Sequence, residues 1–146
     1  MRIGILSGVG AFANRRHAYG LVTQDLVDVI RESADAKVGV RHDVEDALAD
    51  LDAIDVLVLN VGRVLEDASP FAQPAIEKSV TRFLRRGGAI WAHHESATAF
   101  EGLGVWEEAL GGRMLSGEDP PRAVEHLPVA ITEWNHPITR GIHDFE

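Results

Sequence analysis

Apolar residues in this chain fall into two rhythms that alternate. Arg2–Leu6 (RIGIL) and Ile54–Asn60 (IDVLVLN) are apolar runs of strand length, with shorter ones at Lys37–Val40 and Ala89–Ala92. Between them apolar positions recur every three or four residues, which is the period of one helix face. Tyr19–Ile30 carries Leu21, Val22, Leu26, Val27, Val29 and Ile30 at that spacing, and Pro74–Arg86 turns Ile76, Val80, Phe83 and Leu84 inward. Short helices are predicted over Val44–Leu51, with Asp43 placed to cap it, and over Val105–Leu110, closed by Gly111-Gly112. Ser69-Pro70 is a helix entry. Ala123–His126 and Leu127–Thr132 read as strands, and Asn135-His136-Pro137 as a turn, since a residue before proline avoids the α region.

Buried strands alternating with amphipathic helices predict a parallel sheet covered on both faces. The expected architecture is a flavodoxin-like three-layer α/β sandwich with a mainly parallel sheet. The strands near Arg2, Lys37, Ile54 and Ala89 should be neighbours in it, and Ala89–Ala92 a buried central strand. The loop after the first strand does not read as a dinucleotide fingerprint, because Ala13 stands where the third glycine belongs.

The chain has 146 residues, which fits one domain spanning all of it. It stops at Asp144-Phe145-Glu146 in mid-pattern, which reads as part of a longer protein. A net charge of −9 argues against nucleic acid and anionic membrane surfaces as partners. Cysteine is absent, which removes disulfides, zinc–thiolate sites and cysteine nucleophiles. No apolar run approaches the roughly 20 residues of a membrane span, and the first residues form a strand pattern rather than a signal peptide. A cytoplasmic protein is expected. A homo-oligomer stays open.

The stretch Gly87–Thr98 (GGAIWAHHESAT) carries the densest chemistry. A glycine pair lets the preceding helix end, an apolar strand follows, and His93, His94 and Glu95 come where that strand leaves the sheet. In open α/β sheets ligands sit outside the carboxyl ends of the strands. Arg16-His17, Asn60, His93-His94-Glu95 and Asn135-His136 should all fall on that rim. Histidine is the side chain that titrates near neutrality and the commonest metal ligand. His17, His94 and His136 are therefore the candidates for catalysis or for a divalent metal such as zinc, which imidazoles and carboxylates suit. Arg16, Asn60, His93, Glu95 and Trp106 are candidates for binding. No tight ligand spacing such as H-E-x-x-H is present. The plainer readings stand beside these. Loop histidines are more often solvated, as expected for His42, His126 and His143. Trp91 reads as core, and Trp106 and Trp134 stand between packing and lining a pocket.

These residues together resemble the ThuA-like (trehalose-utilisation) family, whose fold is related to class I glutamine amidotransferases. The resemblance rests on Arg16-His17, IDVLVLN at Ile54–Asn60, FLRRGGAIWAHHESAT at Phe83–Thr98, Trp106 followed by Leu110–Gly112, and NHPITRGI at Asn135–Ile142. It implies a protein acting on a carbohydrate or its oxidised derivative, with His94, His17 and His136 around a polarised carbonyl or hydroxyl, directly or through a metal. A non-catalytic sugar-binding module on the same fold is the alternative. Two departures matter. Arg113-Met114-Leu115 follows the glycine pair, where family members often carry a histidine, and the chain ends soon after the HPIT segment. Amidotransferases place a nucleophilic cysteine at the turn after the central strand. That turn here holds His93-His94-Glu95, so glutamine hydrolysis through a thioester is excluded. Ser96 is a conceivable nucleophile but lies beyond the turn.

Overall fold

The computed structural model describes residues 1–13, 17–62, 74–100, 103–112, 126 and 128–146. The chain forms two compact units, Met1–Met114 and Leu115–Glu146. Ser69-Pro70, Ala123–Glu125 and Arg113–Leu115 lie outside the described residues, as does Arg16.

The first unit is an α/β fold. Its strands are β1 (Arg2–Ser7), β2 (Lys37–Arg41), β3 (Val56–Asn60) and β4 (Ala89–Ala92). They form one sheet in the order β2-β1-β3-β4, every pair parallel. The helices are α1 (Tyr19–Ser33), α2 (Val44–Ala49), α3 (Pro74–Arg85) and α4 (Gly104–Leu110). Side chains alternate across a strand, and the core divides accordingly. Ile3, Ile5 and Val58 pack with Leu26, Val27 and Ile30 of α1. Leu6, Leu57 and Leu59 pack on the other face with Val44 and Leu48 of α2, Val80 and Phe83 of α3 and Trp106 of α4. Each face of β1 and β3 thus has a helix to bury against, which explains why these two strands are so apolar.

Two expectations need correction. Ala89–Ala92 is an end strand of the described sheet, paired there only with β3. Its burial is correspondingly partial, and Trp91 is 44% exposed rather than core. Asp43 sits at the N-cap of α2 but makes no capping hydrogen bond. Its carboxylate accepts from Arg41 Nε at 2.9 Å instead. That pairing holds the Asp43 carboxyl below its ordinary range. The turn between α3 and β4 is as expected. Gly87 adopts φ 89°, a left-handed value that glycine reaches at no steric cost.

In the second unit the expected strand at Leu127–Thr132 reduces, among the described residues, to an antiparallel bridge between Val129 and Phe145. Both backbone bonds form, at 2.7 and 3.1 Å. The turn at Asn135–Pro137 is present, with the Thr139 and Arg140 amides donating to the His136 carbonyl. No helix among the described residues is long and apolar enough to cross a membrane.

At the amino end of the sheet Asp55 ties β3 to β1. It accepts from the Arg2 amide at 2.7 Å and from Arg2 Nη2 at 2.8 Å. The Arg2 side chain and amide bring the Asp55 carboxyl down to about 2. A carboxyl depressed in the folded state stabilises it above the ordinary carboxylate pKa of about 3.9, and that contribution fades as pH falls toward 2. Urea midpoints of Asp55→Asn should therefore lie below those of the parent at neutral pH, and the two should converge between about pH 4 and pH 2. A constant gap down to pH 2 would remove Asp55 from the acid limb.

Candidate functional site

The carboxyl ends of β1, β3 and β4 carry the chemistry, and the site begins at the end of β3. Asn60 is buried there, and its Nδ2 donates to the Tyr19 carbonyl and to Thr23 Oγ1, both at 2.9 Å. Thr23 Oγ1 in turn donates to Ser7 Oγ at 2.8 Å. A buried amide left unpaired would cost about 1–3 kcal/mol, so these bonds set where the first turn of α1 lies. Asn60 is thus a structural clamp with both amide hydrogens engaged.

The next residue fixes the opposite wall. Val61 N–H donates to Ser96 Oγ at 2.8 Å, and Ser96 Oγ donates back to the Val61 carbonyl at 3.0 Å. Ser96 is fully buried. Its hydroxyl proton and lone pair are both used, so it is a latch and not a nucleophile. The latch holds the short 3-10 helix His94–Thr98 that follows β4. His93 N–H donates to the Leu59 carbonyl at 2.9 Å, continuing the sheet ladder to the edge of this turn. His94 then takes φ 52°, and it alone has a positive φ among the described non-glycine residues. The left-handed region costs a side-chain-bearing residue about 1–2 kcal/mol. Strain of that kind persists only where the surroundings impose it, and it gathers at functional sites.

Between the two walls the candidate side chains meet. His17 Nε2 lies 3.2 Å from Glu95 Oε1, and Tyr19 Oη donates to Glu95 Oε2 at 2.9 Å. The His17 and His94 rings meet edge to face with centroids 4.7 Å apart. The His93 ring centroid is 6.3 Å from that of His94, and His93 Nδ1 is buried without a hydrogen-bond partner among the described residues. Gly62 makes room for this arrangement. A Cβ there would come 2.5 Å from Tyr19 Oη. Any larger residue would push the hydroxyl off Glu95.

The structure therefore brings His17, His93, His94 and Glu95 together as the sequence suggested. It adds Tyr19, which the sequence presented only as the first residue of a helix. Its one signal was a position two residues after His17, at the helix end nearest the rim. Trp106 is 2% exposed and packs edge to face on Phe100 at 4.8 Å, so it belongs to the core rather than to a binding surface. His136 lies in the second unit, exposed, with Nδ1 accepting from the Ile138 amide at 3.2 Å. Zinc needs several donor atoms about 2.0–2.3 Å from one point. Among the described residues no group of three histidine, aspartate or glutamate side chains is so placed. His17 Nε2 pairs with Glu95.

Two substitutions separate latch from chemistry. Ser96→Ala should lower the unfolding free energy by about 1–3 kcal/mol in urea titration, because the Val61 amide loses its buried partner. His94→Gly should raise it by about 1 kcal/mol by relieving the left-handed backbone. A destabilised glycine variant would show that the His94 ring contributes more to packing than its backbone costs. Compared with models of known protein families, with curated proteins and with solved structures, the chain gives no match.

Proposed function

We propose that this chain is a cytoplasmic ThuA-like protein of carbohydrate utilisation. Its rim takes a sugar or an oxidised sugar and moves a proton on it without a cysteine nucleophile. The observation that carries this reading is the His17–Glu95–His94 cluster beside a left-handed elbow at the strand ends. The motifs at Ile54–Asn60, Phe83–Thr98 and Asn135–Ile142 supply the family and the substrate class, by resemblance. The fold reading is a flavodoxin-like three-layer sandwich of the class I glutamine amidotransferase-like kind. It is supported by the order β2-β1-β3-β4, which matches the first strands of the flavodoxin order, where ligands bind at the switch between β1 and β3.

In this reading His17, held by Glu95, takes a proton from a sugar hydroxyl or from the carbon beside a carbonyl. His94, in ring contact with His17 and exposed, returns a proton from the neighbouring side. Glu95, which accepts from Tyr19 and faces His17, stays an acceptor throughout. Arg16 and His136 enter through the resemblance alone. We take direct proton transfer as the first form of this reading and a divalent metal such as zinc as the second, since a carboxylate on one His17 nitrogen leaves the other open to either.

The second reading is a non-catalytic sugar-binding module. The Ser96 latch favours it, since the hydroxyl two residues after His94 is unavailable for covalent chemistry.

The test is a titration of trehalose, glucose and gluconate into isotopically labelled protein. One of them should shift the amides of His17, His94 and Glu95 with a Kd of roughly 1 μM–1 mM. His94→Ala should weaken that binding at least about tenfold, worth about 1.4 kcal/mol. Treatment with a chelator should leave the binding unchanged. Binding lost on chelation would restore the metal. No shift from any of the three sugars at millimolar concentration would overturn the carbohydrate reading. Conversion of the bound sugar separates the enzyme from the module.

A further inference from the structure

The contacts of Glu95 decide more than where His17 sits. An ionised carboxylate can only accept hydrogen bonds. Its Oε2 accepts from Tyr19 Oη at 2.9 Å, a phenol that is itself buried against the end of β3 beside Gly62. Its Oε1 faces His17 Nε2 at 3.2 Å. Tyr19 is fixed in turn, because its backbone carbonyl is held by Asn60 and its ring lies edge-on to His17 at 5.9 Å. Glu95 is fixed from its own side by the turn that Ser96 latches to Val61, and Thr98 Oγ1 donates to the Glu95 carbonyl at 2.9 Å. The carboxylate thus has its position set from both walls of the rim. A neutral imidazole carries its hydrogen on one nitrogen, and the partner of one nitrogen determines the state of the other.

We propose that Tyr19 and Glu95 are positioning residues that lock neutral His17 as the Nε2–H tautomer, leaving Nδ1 as the unprotonated nitrogen that serves the site. This rests on the acid–base reading of the rim and names the atom that performs it. In that reaction Nδ1 accepts the proton while Nε2–H stays on Glu95. The cation so formed lies against a carboxylate, and the carboxylate itself exchanges nothing. His94 has no such holder among the described residues, so the two histidines are unequal. His17 is set in one form, and His94 is free to turn over both.

Ring-nitrogen NMR spectra of the whole chain, labelled in its histidines and recorded with the imidazoles neutral, test this directly. His17→Gln identifies the His17 signals by their loss. The parent should show His17 protonated at Nε2 and bare at Nδ1. In Glu95→Gln the amide can donate to Nε2, so the Nδ1–H form should rise several-fold. Tyr19→Phe should produce a smaller change in the same direction. A parent His17 protonated at Nδ1 overturns the proposal, as does an unchanged tautomer ratio in Glu95→Gln. Should Glu95→Gln fail to fold, the parent spectrum and Tyr19→Phe still decide. The measurement needs no ligand. A chain that binds no sugar but shows the Nε2–H form would refute the carbohydrate reading alone, and the reverse pattern would refute the tautomer lock alone.

Discussion

The rim depends on the last turn of chain leaving β3, where two successive residues fasten two different neighbours. Asn60 reaches toward α1 and holds the Tyr19 carbonyl and the Thr23 hydroxyl. Val61 presents its amide and carbonyl to the Ser96 hydroxyl on the other side. Asn60 works through its side chain and Val61 through its backbone, so two neighbouring residues serve different walls. All of these groups are buried, and each bond is made where water cannot replace it. The positions of Tyr19 and Glu95, and through them of His17, follow from this anchor.

The anchor also explains why an unfavourable backbone can persist. The turn after β4 is pinned at His93 by the Leu59 carbonyl and at Ser96 by Val61. Only His94 and Glu95 lie between these two pins. The chain must reverse within them, and His94 takes up the turn with a left-handed φ. The same constraint keeps Glu95 within reach of both Tyr19 and His17. Strain and positioning are two results of one short span between fixed points.

Hydrophobic periodicity carried most of the fold. Ile54–Asn60 had to be covered on both faces, and β3 is flanked by β1 and β4 with apolar side chains buried on each side. Trp91 misled, because an apolar run of strand length has the same appearance in the middle of a sheet and at the end of one. Asp43 misled for a different reason. Its sequence position suits a cap, but a guanidinium two residues away offers a stronger partner than a backbone amide. At the site, the strand-end rule located His17, His94 and Glu95, because it depends only on where strands stop. It could not separate Asn60 and Ser96 from them. A polar residue that ends a strand reads alike whether it faces a ligand or clamps a backbone, and only burial tells the two apart. Tyr19 was hidden because its ring sits at the start of an amphipathic helix, where aromatic residues ordinarily pack.

The partners at the rim are far apart in the chain. Glu95 lies 78 residues from His17 and 76 from Tyr19, and β1, β3 and β4 must all be in register before they can meet. Closing loops of that length costs entropy before any contact repays it. On that ground the rim is expected to assemble late, after the strand pairings that support it. Altered rim residues are then expected to act chiefly on how fast the native state is lost and hardly on how fast it forms. Variation in the chemistry of this site would then be largely uncoupled from the route by which the sheet is built.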